Sequence, residues 1–283
     1  MKAILDKVTY HAVYDDSIVD ALRYARGHGF AGIQVAVEAP HLSFENLTDG
    51  QRDEIASFRA EHDLWLSLHA PDDLTSLFAT SSPLREGILS YFQGLFGFAE
   101  KVGARLVTIH AGSMSRFRTD DEAAETIPRA DRHAYRRAFG ANLQAVVDQV
   151  RGRFVLCVEY YRPEPMVEDL LGPHLDAGTL SLCWDLAKTF DGQMNRDSRL
   201  EQYFRDHLDR VRQVHLHDVR DGRSHRVLGT GRIDLMAYLP RLAEADVLEY
   251  CIEVRPREKA TESLAHLTGW VQAHCPSEPE QCP

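Results

Sequence analysis

The sequence predicts a single α/β domain, a (β/α)8 barrel spanning residues 1–274. Three observations carry the prediction. Short β-type runs alternate with longer helical patterns eight times over, as a closed parallel barrel requires. Six successive runs, the third to the eighth, end in His, Glu or Asp. The turn after the first run, Tyr10-His-Ala-Val-Tyr-Asp-Asp16, lacks the glycines that a doubly wound nucleotide-binding sheet would place there.

The strand candidates are 3–10, 32–38, 64–69, 106–110, 154–159, 180–185, 211–217 and 250–254. Between them lie helical stretches with recognisable ends. Ser17 caps a helix carrying Ile18, Leu22 and Ala25 on one face, and Gly27 and Gly29 mark its stop. Thr48 and Gln51 have capping-box spacing before Ile55 and Phe58. Pro83 suits the first turn of a third helix reaching to about Val102. Further helices are expected over 129–150, 165–175, 198–208, 235–245 and 258–273, and the Pro- and Glu-rich tail at 275–283 is expected to be disordered.

Composition narrows the class. Of 283 residues, 44% are hydrophobic and 27% charged, ordinary for a globular domain, with a formal net charge of -11. That acidic balance argues against non-specific binding of nucleic acid or a membrane surface. No apolar run approaches the ~20 residues of a membrane span, and the charged start does not read as a signal peptide. The five cysteines lack zinc-type Cys-x-x-Cys spacing. Cys157, Cys183 and Cys251 lie in apolar runs, as reduced core residues of a cytoplasmic protein would.

The polar strand ends carry the chemistry. They are His69, His110, Glu159, Asp185, His215-Leu-His217 and Glu253. Parallel barrel strands converge at their C-terminal ends, so these side chains meet on one rim. Imidazole and carboxylate are ligands for zinc, manganese or cobalt, and a cation relieves the mutual repulsion of clustered acids. Residues two positions earlier (Ser67, Thr108, Cys157, Cys183, Gln213 and Cys251) should line the barrel one layer below.

Taken as a set, the segments His69-Ala-Pro71, Ile109-His-Ala-Gly112, Val158-Glu159, Trp184-Asp-Leu186, His215-Leu-His-Asp218 and His225-Arg-Val-Leu-Gly-Thr-Gly-Arg-Ile-Asp234 resemble the xylose-isomerase-like barrel superfamily. That group includes sugar and sugar-phosphate isomerases and epimerases and the apurinic endonucleases. The resemblance implies a four-ligand metal site of Glu159, Asp185, His215 and Glu253, with Glu159 and Glu253 exchanging protons with the substrate. A metal there would lower the pKa of the carbon acid, and a cis-enediol or enolate-like intermediate would follow. His69 and His110 match positions that hold a second metal in the endonuclease branch. The chain departs from that branch at Lys188, where the family commonly has His, and at Arg223, where it has Asp. Two of the three ligands of a third zinc are therefore missing.

Lys188, His217, Arg223, His225 and Arg255 form the candidate substrate-binding set, and the recurrent loop arginines point to an anionic group such as phosphate. The long loop 111–128, with Met114, Arg116, Phe117 and Arg118 before an acidic run at 120–122, suits either a lid or a solvated excursion. The expected partner is a small molecule, with or without a phosphate, and self-association is left open. Two activities compete: a metal-dependent isomerase or epimerase of a sugar, sugar phosphate or polyol, and a one- or two-metal phosphoester hydrolase.

Overall fold

The computed structural model describes residues 2–118, 120, 126–161, 164–190 and 194–274. The tail at 275–283 and positions 121 and 122 of the acidic run lie outside them.

In chain order the elements are α1 (Lys2–Leu5), β1 (Val8–Ala12), α2 (Ile18–Gly27), β2 (Gly32–Ala36), α3 (Asp49–Glu61), β3 (Trp65–His69), α4 (Ser82–Val102) and β4 (Leu106–His110). Then follow α5 (Arg132–Val150), β5 (Val155–Glu159), α6 (Pro165–Asp176), β6 (Ser181–Asp185), α7 (Ser198–Asp206) and β7 (Val211–Leu216). The chain closes with β8 (Asp218–Arg220), β9 (Arg223–Arg226), α8 (Leu239–Glu244), β10 (Glu249–Ile252) and α9 (Arg257–His274). Eight strands form a closed parallel barrel in the order β1-β10-β7-β6-β5-β4-β3-β2, while β8 and β9 form a separate antiparallel hairpin. This is the single (β/α)8 barrel the sequence predicts.

The capping signals act as read. The Ser17 hydroxyl accepts the Asp20 N–H at 3.1 Å. Thr48 and Gln51 exchange reciprocal bonds at the start of α3. Two elements differ from expectation. The first strand begins at Val8, because Lys2–Leu5 make one helical turn that buries Ile4. The helix expected over 235–245 is split into a 3-10 turn, Leu235–Ala237, and α8. Pro240 lacks an N–H and its ring disfavours an unbroken helix through this point, so it falls in the first turn of α8, where no intrahelical donor is needed.

Along each barrel strand alternate side chains face outward. Trp184 does so, stacking on Phe204 of α7 with ring centroids 4.8 Å apart. The inward set forms the floor beneath the rim. Thr9, Gln34, Ser67, Thr108, Gln213 and Glu249 are all fully buried. Thr9 and Ser67 hydroxyls donate to Glu249 Oε1 at 2.6 and 2.7 Å, and Gln213 donates to Oε2 at 2.8 Å. Gln34 donates to Thr108, which donates to Gln213, so the floor is one hydrogen-bonded network. Cys157, Cys183 and Cys251 are buried free thiols, and burial pushes each well above its ordinary pKa.

Candidate metal centre

Parallel register brings the strand ends together just above this floor. His110 pairs with Glu159 across β4 and β5, and Asp185 pairs with His215 across β6 and β7. His215 sits at the centre. Its Nδ1 lies 3.2 Å from Glu159 Oε2 and 3.7 Å from Glu253 Oε2. Ligand atoms of Asp185, His215 and Glu253 lie within 4.8 Å of one another, as do those of His69, Glu159 and His215. The four residues matched to the family's metal site thus converge, and His69 and His110 adjoin them. His69 Nε2 is 3.4 Å from Glu159 Oε2 and 3.2 Å from His110 Nε2.

The donor set fits a divalent cation. Both ring nitrogens of His215 are buried and make no hydrogen bond, although a carboxylate oxygen stands 3.2 Å away. Buried polar atoms are rarely left unpaired. Nitrogen and oxygen this close yet misaligned for each other suit a shared third point between them. Electrostatics agree. Burial alone would raise Glu159, but the charges of His110 and His215 hold its carboxyl well below the usual range. Glu253 is likewise held low against burial, by His11, His225 and His215. Burial lowers the His215 imidazole, yet Glu159 and Glu253 lift it to about 9, so a cation entering here displaces a proton.

Neighbouring groups fix these side chains. Asp185 Oδ1 accepts the N–H groups of Ala187 and Lys188 at 2.9 and 3.2 Å, and Oδ2 lies 3.1 Å from His217 Nε2. His110 Nδ1 lies 3.1 Å from Asp72, and Tyr161 donates to that same carboxylate. Arg255 donates to Glu253 Oε1 at 3.0 Å and to His11 Nδ1 at 2.5 Å.

Asp218 anchors the loop that follows. Its carboxylate accepts the N–H groups of Val219 (2.8 Å), Gly231 (2.7 Å) and Ile233 (3.1 Å). A Cβ on Gly231 would stand 2.2 Å from Asp218 Oδ1 and 2.3 Å from the Val219 carbonyl. The close approach admits only glycine there, which gives the Leu228-Gly-Thr-Gly231 segment a structural meaning.

The candidate substrate-binding residues divide. Lys188 is half-buried, with its ammonium 5.3 Å from the Tyr161 ring centroid. Arg223 is exposed on β9, and His225 Nε2 reaches Glu253 Oε2 at 3.4 Å. Arg255 is engaged with Glu253 and His11, and His217 is fully buried. A cavity of about 260 Å³ opens beside Glu159 and His110, walled by Met114, Arg116, Tyr161 and Glu164. Two of its walls come from the long loop after β4.

Three contributors escaped the sequence reading. His11 belongs to the rim, its Nδ1 3.3 Å from Glu253 Oε1, and burial with the nearby Arg255 charge depresses it to about 3. Asp72 stands beside His110 from a loop, and Glu249 anchors the floor. The two-residue alternation Thr9, His11 and Glu249, Cys251, Glu253 was the available signal for the first and last.

A family model described as a xylose isomerase-like TIM barrel matches residues 22–270. Among solved structures, a D-tagatose 3-epimerase-like protein superposes with a TM-score of 0.73 at 15% identity, over 94% of this chain and 97% of that one. A 3-keto-D-glucoside 4-epimerase from E. coli gives 0.70 at 17% identity, over 94% and 99%. Endonuclease IV from Thermus thermophilus gives 0.67 at 19% identity, again over 94% and 99%. At such identities these likenesses show the fold alone. No curated protein matches the sequence.

Proposed function

Because the chain belongs to the family of xylose isomerase-like TIM barrels, we propose that it is a divalent-metal-dependent isomerase or epimerase of a sugar, sugar phosphate or polyol. One observation carries the reading: two carboxylates, Glu159 and Glu253, approach the same unpartnered imidazole of His215 from barrel strands separated by β6 and β7. Glu159, Asp185, His215 and Glu253 would hold the ion, manganese, zinc or cobalt. A bound divalent ion supplies Lewis acidity that polarises a substrate carbonyl or hydroxyl.

The protein's own groups then move the proton. Both glutamates are kept ionised by their histidine neighbours, so either can accept a proton from a carbon acid. With one carboxylate on each side of the substrate, removal on one face and return on the other inverts the carbon. Arg255 holds Glu253, while Glu159 borders the cavity proposed to receive the substrate. Lys188, Arg223 and His225 would be the groups to hold substrate oxygens on this reading.

The second reading, hydrolysis of a small phosphoester, is favoured by one feature: His69 and His110 form a second donor set that shares Glu159 with the first. With Lys188 and Arg223 replacing the ligands of a third ion, a small phosphate ester is a better substrate than DNA.

Elemental analysis followed by a turnover screen of sugars, sugar phosphates and phosphoesters with manganese, cobalt and zinc separates the readings. One ion per chain with carbon epimerisation supports the first. Two ions with phosphate release support the second. Glu159→Gln should abolish turnover while the circular dichroism spectrum stays native, and full activity in that variant refutes the assignment.

A further inference from the structure

We infer that His217 is a positioning residue for Asp185, locked in one tautomer by the β8–β9 hairpin, rather than a ligand for a further cation or a contact for substrate. The inference rests on the metal-centre reading above. Proximity alone suggests otherwise, since ligand atoms of His217, His225 and Glu253 lie within 4.8 Å of one another, as they would around an ion.

The hydrogen bonds decide against that. The backbone N–H of His225 points at His217 Nδ1 from 3.0 Å. A backbone N–H can only donate, so Nδ1 must keep its lone pair. The Asp218 carbonyl, 3.5 Å from the same nitrogen, is at the far edge of hydrogen-bond reach and is the weaker competitor. A neutral imidazole carries one proton. Here that proton sits on Nε2, which faces Asp185 Oδ2 at 3.1 Å. An ion at Nε2 would force the proton onto Nδ1, directly against the His225 N–H. Both nitrogens of a ring with no solvent exposure are thus committed to the protein.

The hairpin is built to deliver that N–H. His225 holds a left-handed backbone with φ +57°, and its ring stacks on His217 with centroids 4.3 Å apart. Asp218, the residue after His217, ties the start of the hairpin to the Gly231 and Ile233 amides. Asp185 therefore has its carboxylate oriented from two directions, Oδ1 by its own following loop and Oδ2 by the hairpin through His217. Partners that orient a ligand commonly matter about 10–100-fold in metal affinity or activity.

Two measurements on the full-length protein test this. In an imidazole nitrogen–proton correlation spectrum, His217 should show a bare Nδ1 and a protonated Nε2; the reverse assignment overturns the lock, whether or not a metal binds. In titrations of the metal-stripped protein with Mn2+ or Co2+, His217→Phe should weaken affinity about 10–100-fold without lowering the number of ions bound at saturation. His217→Gln, whose amide can still donate to Asp185, should recover most of that affinity. Unchanged affinity in His217→Phe overturns the inference. Loss of one ion per chain in both variants also overturns it, because His217 is then a ligand. A wild-type protein that binds neither ion removes the metal-centre reading itself, and the spectrum still decides the tautomer.

Discussion

Removing the carboxylate of Asp218 should unfasten the hairpin and loop that flank the candidate metal centre. Three backbone N–H groups point at it, and two of them, on Val219 and Ile233, belong to residues only 4% and 7% exposed. In Asp218→Ala those two donors are left buried and unpaired, at about 1–3 kcal/mol each, so the variant should lose about 2–6 kcal/mol. The Gly231 N–H is half-buried and can recover a water. Asp218→Asn should be milder. Its amide oxygen still accepts from Val219 and Ile233, and only the Gly231 bond turns into a donor–donor contact, for a loss of about 1–3 kcal/mol. Against a typical total of about 5–15 kcal/mol, both losses are large. Urea unfolding followed by far-ultraviolet circular dichroism measures them, with the slope of each transition compared to confirm that the unfolded state is unchanged. If both variants stay within about 0.5 kcal/mol of wild type, the range of an indifferent surface change, then Asp218 does not pin this loop and the reasoning fails.

Gly231→Ala should act on the same contact from the other side. Its Cβ would meet the Asp218 carboxylate and the Val219 carbonyl at 2.2 and 2.3 Å, and the melting temperature in calorimetry should fall by about 2–4 °C for each kcal/mol lost. An unchanged melting point would show that the loop absorbs a methyl group freely. Glu249 predicts a pH effect. Burial raises its carboxyl above the ordinary 4.5, and the bonds from Thr9, Ser67 and Gln213 only partly offset this. The folded protein therefore holds that proton more tightly than the unfolded chain. The contribution is fully present below 4.5 and is lost as pH rises through the raised value. The stability difference between wild type and Glu249→Gln, measured by denaturation across that window, should move against wild type as pH rises, and a flat difference curve would contradict it.

Much of this was legible because a parallel barrel converts sequence position into spatial position. Residues that end strands share a rim, so Glu159, Asp185, His215 and Glu253 are neighbours although 94 positions separate the first from the last. The helix caps at Ser17 and Thr48 were legible because they are local hydrogen bonds between residues three apart. His11 was missed because the strand containing it was placed too early, at 3–10, which left that histidine just beyond the strand. What the sequence could not supply is ring orientation. Nothing in His215-Leu-His217 tells which imidazole keeps its nitrogens free and which spends them. That depends on the backbone of His225, eight residues past His217, whose φ no residue spacing encodes.

The floor under the rim has a consequence for traffic. With Thr9, Gln34, Ser67, Thr108, Gln213 and Glu249 all sealed from solvent, the described residues close the barrel at its base and leave it open toward the rim. On the proposed reading, an ion held at the rim and a substrate above it would share that opening, the substrate last in and first out. A chelator should therefore strip the resting protein quickly and the substrate-saturated protein slowly, a difference in inactivation rate that any active preparation can report.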